Sequence, residues 1–179
     1  MKKTLSLVLL AAMLFTCVFA FTACGDSGNG GGGKVSAVPY DVGNFTVDVP
    51  DGWTAFPEEG NPDTITLSKG GQSAIDLMSA PSIKIDFYSD YRELMSAPLS
   101  SFYENVEEFE AKKIGDTYTW EGFKATSGNY PLAMFWTLND DVDVQIAIWT
   151  EMGGKTISVD DADVQAIIAS IAANPVEAE

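Results

Sequence analysis

From Asn44 to Phe87 and again from Asp116 to Glu151 the chain is written in strand-length runs rich in apolar residues at every second position, and this limits its fold more than any other feature. NFTVDVPDGW sets Phe45, Val47 and Val49 against Thr46 and Asp48 and closes on Pro50-Asp51-Gly52, the pattern of a half-buried strand ending in a turn. TITLS and AIDLM repeat the alternation, and SIKIDF adds Ile83, Ile85 and Phe87. Successive strand side chains point to opposite faces, so a period of two gathers the apolar set on one side of a sheet. Three aromatic and β-branched runs follow, DTYTWEGFKATSG, LAMFWTLN and VDVQIAIWTE, with NDD at 139–141 suited to a hairpin turn. In the last run Val142, Val144, Ile146 and Ile148 alternate with Asp143, Gln145, Ala147 and Trp149, which predicts a central strand with one wholly apolar face.

Two stretches read as helical. Asp90 and Glu93 resemble a capping arrangement before Leu94 and Met95, with Pro98 ending or kinking the helix. From Leu99 the spacing of Phe102, Tyr103 and Val106 resumes a helical stripe, expected to pack in the core. SVDDADVQAIIASIAANP is the second stretch. Ser158 and Asp161 form an S-x-x-D cap, Asp160 and Asp163 set negative charge at the positive helix end, and Val164, Ile167, Ile168 and Ile171 make one packed stripe. Asn174-Pro175 is the expected stop. MSAP occurs at 78–81 and again at 95–98, too short to be a repeat.

The first 23 residues read as an export signal: MKK gives a positive start, an apolar run follows, and the small pair Thr22-Ala23 precedes Cys24. Thr22-Ala23-Cys24-Gly25 resembles the lipobox of bacterial lipoproteins, with Phe21 where that family usually has Leu. The resemblance implies a diacylglyceryl group on the Cys24 thiol, cleavage before it, and a protein anchored in the membrane and facing outside the cytoplasm. Leu5 to Ala23 also approaches the length of an uncleaved transmembrane anchor, which exports the C-terminal body just the same. Cys17 lies in the apolar run, so a processed chain keeps Cys24 alone and has no disulfide framework. Gly25 stands where an aspartate can retain a lipoprotein in an inner membrane, which leaves the destination membrane open. The expected organisation is a signal over 1–23, a lipidated cysteine and glycine-rich tether over 24–39, one α/β domain over 40–174 and an acidic tail over 175–179. The run GDSGNGGGGK would reach about 15–20 Å as a flexible coil.

Several function classes fall away on composition. The chain carries 10 basic and 26 acidic residues, a net charge of −16. Without Lys2 and Lys3 the balance is 8 against 26, or −18. Nucleic acid is bound through phosphate by Lys and Arg, so this charge argues against it as a partner. Gly28, Gly30 and Gly33 match G-x-G-x-x-G, and Gly28, Gly33 and Lys34 nearly match a phosphate loop, but neither has a strand before it or a helix after it. The NFT at 44–46 is a glycosylation sequon by pattern alone. The absence of any histidine removes Ser-His-Asp and Cys-His catalysis and histidine-ligated metals, and there is no G-x-S-x-G or S-x-x-K.

The opening FTVDVPDGWT, a middle helix, three late aromatic strands and the closing DDADVQAIIASI together resemble the Mog1/PsbP-type α/β/α sandwich over Phe45 to Ile171. The resemblance implies an α+β fold, a mainly antiparallel sheet flanked by helices, in a family of binding and assembly proteins. It carries over no functional residue. The expected function is therefore a non-catalytic binding or assembly module at the cell envelope, without cofactor, metal or catalytic residues, anchored through Cys24 and serving an envelope protein partner. Two alternatives stand beside it. Asp140, Asp141 and Asp143, or Asp160, Asp161 and Asp163, offer oxygen ligands for calcium, against a plain reading as a solvated turn and a helix cap. A small-molecule ligand belongs to the same alternative, and a carboxylate-dependent carbohydrate enzyme is the other. Trp53, Phe56, Trp120, Phe123, Tyr130, Trp136 and Trp149 either cap the two faces of the sheet or leave an exposed aromatic patch.

Overall fold

Period two in the sequence becomes strands in space. A computed structural model describes residues 35–87, 102–137 and 143–174, all within the unit Gly33–Glu179. Four strands come first, β1 (Ala37–Asp41), β2 (Phe45–Pro50), β3 (Trp53–Pro57) and β4 (Thr64–Lys69), then a 3-10 turn (Asp76–Met78) and β5 (Ser82–Phe87). Next are β6 (Glu104–Ile114), β7 (Tyr118–Ser127), β8 (Tyr130–Thr137) and β9 (Val144–Trp149). The short β10 (Glu151–Met152) and β11 (Lys155–Thr156) lead to helix α1 (Ala162–Ser170) and β12 (Ala172–Ala173).

Seven strands form one sheet in the order β3-β4-β5-β9-β8-β7-β6, with every neighbouring pair antiparallel. A smaller sheet has the order β1-β2-β12, and β10 pairs with β11. This is the α+β fold with a mainly antiparallel sheet that the resemblance implies; among the described residues α1 is the one α-helix. β9 occupies the middle of the large sheet, as its alternation requires, with Val144, Ile146 and Ile148 buried.

Register places the apolar alternation in rows. Ile65, Ile85, Ile146 and Phe135 pair across four strands, and Leu67, Ile83, Ile148 and Ala133 form the next row, all wholly buried. Phe45 and Val47 of β2 and Val164, Ile167, Ile168 and Ile171 complete the same core. The Phe45 and Phe87 rings stack there at 4.9 Å between centroids. A second cluster, Phe123, Ala125, Leu132 and Met134, has Tyr103, Val106, Trp136, Ala147 and Trp149 packed against it. It arises because β7 and β8 also carry apolar residues at the alternate positions.

Four local expectations need correction. The stripe through Phe102, Tyr103 and Val106 is not helical: Glu104–Ile114 is a strand, and Phe102 is 61% exposed. Pairing shifts between Glu104 and Glu107, which inserts one residue, and Asn105 has φ 54°. A bulge of this kind lets residues three apart share a sheet face, and so it imitates helical spacing. AIDLM contains the 3-10 turn in place of a strand, because the Asp76 carboxylate accepts from Gln72 N–H at 3.0 Å and from the Ser73 hydroxyl at 2.8 Å. The last helix ends at Ser170, short of Asn174. Ile171 is extended and wholly buried, and Ala172 and Ala173 pair with β2. β1 begins at Ala37, inside the stretch expected to be tether. The middle helix near Asp90 and the NDD turn lie outside the described residues.

Candidate functional site

The helix start keeps Asp163 in its first turn, as the reading of the helix dipole expects, and is also tied into the sheet. Asp161 is the N-cap residue, but its carboxylate accepts from Ser158 N–H at 3.0 Å, closing a turn before the helix. Asp163 reaches across to the β3–β4 hairpin. Its Oδ2 accepts from Trp53 Nε1–H at 2.8 Å and meets Lys69 Nζ at 2.7 Å, while the Lys69 ammonium lies 5.8 Å from the centroid of the Trp53 ring. Burial alone would push the Asp163 carboxyl up, yet the Lys69 ammonium and the Trp53 N–H hold it below its ordinary range. Asp76 is also held low, first by the Ser73 hydroxyl and then by the Gln72 N–H.

These partners remove Asp163 from any calcium cluster. Asp160, Asp161 and Asp163 do not converge, and among the described residues no three acidic side chains come together to hold a metal. Asp140 and Asp141 lie outside the described residues, as does Cys24, while Asp143 precedes β9 and is engaged within the fold.

The seven flagged aromatics separate between the faces of the sheet. Trp53, Trp120 and Phe123 are buried, Trp120 completely, and Trp120 meets Tyr118 edge-on at 5.8 Å. Trp120 Nε1 has no hydrogen-bond partner among the described residues. Trp136 is half-buried and donates from Nε1 to Glu121 at 3.3 Å; Phe56 and Trp149 are half-buried, and Tyr130 is half-exposed. No single aromatic patch brings them together.

A groove of about 230 Å³ opens where β7 and β8 meet the segment leading into α1. Ala125, Leu132, Ile157 and Val159 give it a buried apolar floor, and Lys124, Pro131, Thr150 and Ser158 complete the lining. Thr150 Oγ1 donates to the Pro131 carbonyl at 3.1 Å, and Ser158 Oγ accepts from Asp160 N–H at 3.2 Å. Lys124 is exposed and forms no ion pair among the described residues. This chemistry suits a small amphipathic anion. Lys124 is the ionisable side chain of this lining. Nothing local in the sequence marks Lys69 or Lys124: strand register sets one opposite Trp53 and the other beside the segment before α1.

No family model matches the chain, and no curated protein matches it. Among solved structures the chain is similar to cyanobacterial PsbP (CyanoP) from Synechocystis sp. PCC 6803, at 14% identity, covering 83% of this chain and 98% of that one with a TM-score of 0.43. A likeness this loose carries no function across.

Proposed function

We propose that this protein is an exported lipoprotein, held at the membrane by a diacylglyceryl group on Cys24, whose α/β domain is a non-catalytic binding or assembly module. The observation that carries the reading is the order of charged start, apolar run, small pair and cysteine that ends in Thr22-Ala23-Cys24-Gly25. Residues 1–23 are then the signal and 24–36 the tether, with the acidic tail over 175–179. The lack of histidine supports a binding role over a catalytic one.

In-cell cross-linking of the full-length protein beside residues 25–179 exported behind a signal that is cleaved without lipidation, with mass spectrometry of Cys24 in the same cells, tests it. A diacylglyceryl mass and a discrete envelope protein captured only by the anchored form are expected. An unmodified Cys24 thiol, or the same capture from both forms, would reject the anchored module.

The groove favours one second reading, a small-molecule binding protein, since Lys124 places a cation beside an apolar floor. A panel of short-chain carboxylates should then raise the thermal midpoint of wild type and fail to raise that of Lys124→Gln.

A further inference from the structure

The two ends of the large sheet differ in a way that bears on the anchor. The chain from Cys24 joins the described fold at Ser36, whose carbonyl accepts from Asp51 N–H at 3.0 Å. The Gly52 carbonyl accepts from Gly70 N–H at 3.0 Å, so the start of β1, the β2–β3 turn and the loop after β4 share one end of the fold. Antiparallel register carries this end across the sheet: Trp53 pairs with Lys69, Ser68 with Ser82, Ser82 with Trp149, Trp149 with Leu132, and Thr126 with both Pro131 and Glu104.

Four large apolar residues are exposed among the described residues, and all four lie toward this end. Ile75, 83% exposed, sits in the loop between β4 and β5; Phe102 lies just before Glu104; Tyr130 starts β8; and Val38, 67% exposed, is the second residue of β1. The opposite end carries Glu58, Glu59 and Asp63 in the β3–β4 turn and Asp116 in the β6–β7 turn, with no exposed large apolar residue among the described residues. Burial alone would disperse exposed apolar side chains over the surface, and isolated ones need no account. A rim of them on the side where a lipid-bearing segment joins has one: aromatic and branched side chains partition into the bilayer interface.

We infer that the end bearing Ile75, Phe102 and Tyr130 rests on the surface of the membrane that holds the Cys24 lipid, leaving the acidic end around Glu59 and Asp116 to face outward. This rests on the anchored reading above. Contact comes through apolar insertion rather than charge. Asp51, Asp76 and Glu151 outnumber the exposed Lys155 at the membrane-facing end, and Lys69 there is already paired with Asp163. Zwitterionic vesicles should therefore be bound at least as well as anionic ones, with little dependence on salt.

Single-cysteine labelling of the lipidated protein tests the orientation, since the lipid occupies the Cys24 thiol and leaves only the introduced one free. Ile75→Cys, Tyr130→Cys, Glu59→Cys and Asp116→Cys would each carry a fluorophore in phosphatidylcholine vesicles containing a nitroxide-headed lipid. Quenching several-fold stronger at 75 and 130 than at 59 and 116 is expected. Equal quenching at all four positions, or stronger quenching at 59 and 116, would overturn the orientation and leave the anchor standing. Mass spectrometry of the same sample separates the two ideas: an unlipidated Cys24 overturns the anchored reading and this inference with it.

Discussion

Asp163 shows how one carboxylate can join a helix to a sheet. Its folded pKa lies below the unfolded value of 3.8, so its ion pair and hydrogen bonds stabilise fully above that value and are lost as pH falls through the folded pKa. Lys69 is two-fifths exposed, and solvent screens the pair. Lys69→Met should therefore cost about 1 kcal/mol or less near neutral pH, measured by urea unfolding, and the two proteins should converge in stability once acid protonates Asp163. Gly122 is a position where no side chain fits. A Cβ there would collide with the Met134 carbonyl oxygen and lie 2.6 Å from the Phe109 ring, which packs over this glycine. Gly122→Ala should lower stability by about 1–3 kcal/mol, visible as a lower urea midpoint with an unchanged slope.

At the level of elements, α1 is a short helix whose place depends on docking. Nine residues are marginal alone in water, and Val164, Ile167 and Ile168 bury the face that holds it against the core. Ser170 Oγ adds a bond by accepting from Asp48 N–H in β2 at 2.8 Å. Ile168→Ala should cost about 2–5 kcal/mol in chemical unfolding. The edge strand β6 presents a different problem. Among the described residues its 11 residues form one edge of the sheet, and two register shifts with Glu104, Glu107, Glu108 and Glu110 make pairing with another chain unfavourable. The alternation in β2, β4, β5, β7, β8 and β9 and the stripe of α1 were legible in the sequence, because burial on one face imposes the period directly. The turn at Asp76 and the bulge in β6 were not, because both depend on bonds or pairings that the local pattern cannot distinguish from a strand or a helix.

For the whole molecule, the charge of −16 and the Cys24 sequence bear on partners more than on fold. Cys24→Ala should yield an unlipidated chain that keeps residues 1–23, with no matching loss of stability in the domain, followed by intact mass spectrometry and by thermal unfolding. The sequence by itself determined the abundance of strands, the central place of β9 and the helix near the C-terminus, since each is written in contiguous residues as a period. Tertiary structure alone decided that Lys69 meets Asp163, that Trp53, Trp120 and Phe123 are buried rather than displayed, that a groove forms beside Lys124, and that the exposed apolar residues gather toward one end. Each of these joins positions far apart in the chain, and antiparallel register, which sums every turn and bulge between them, sets where such positions meet.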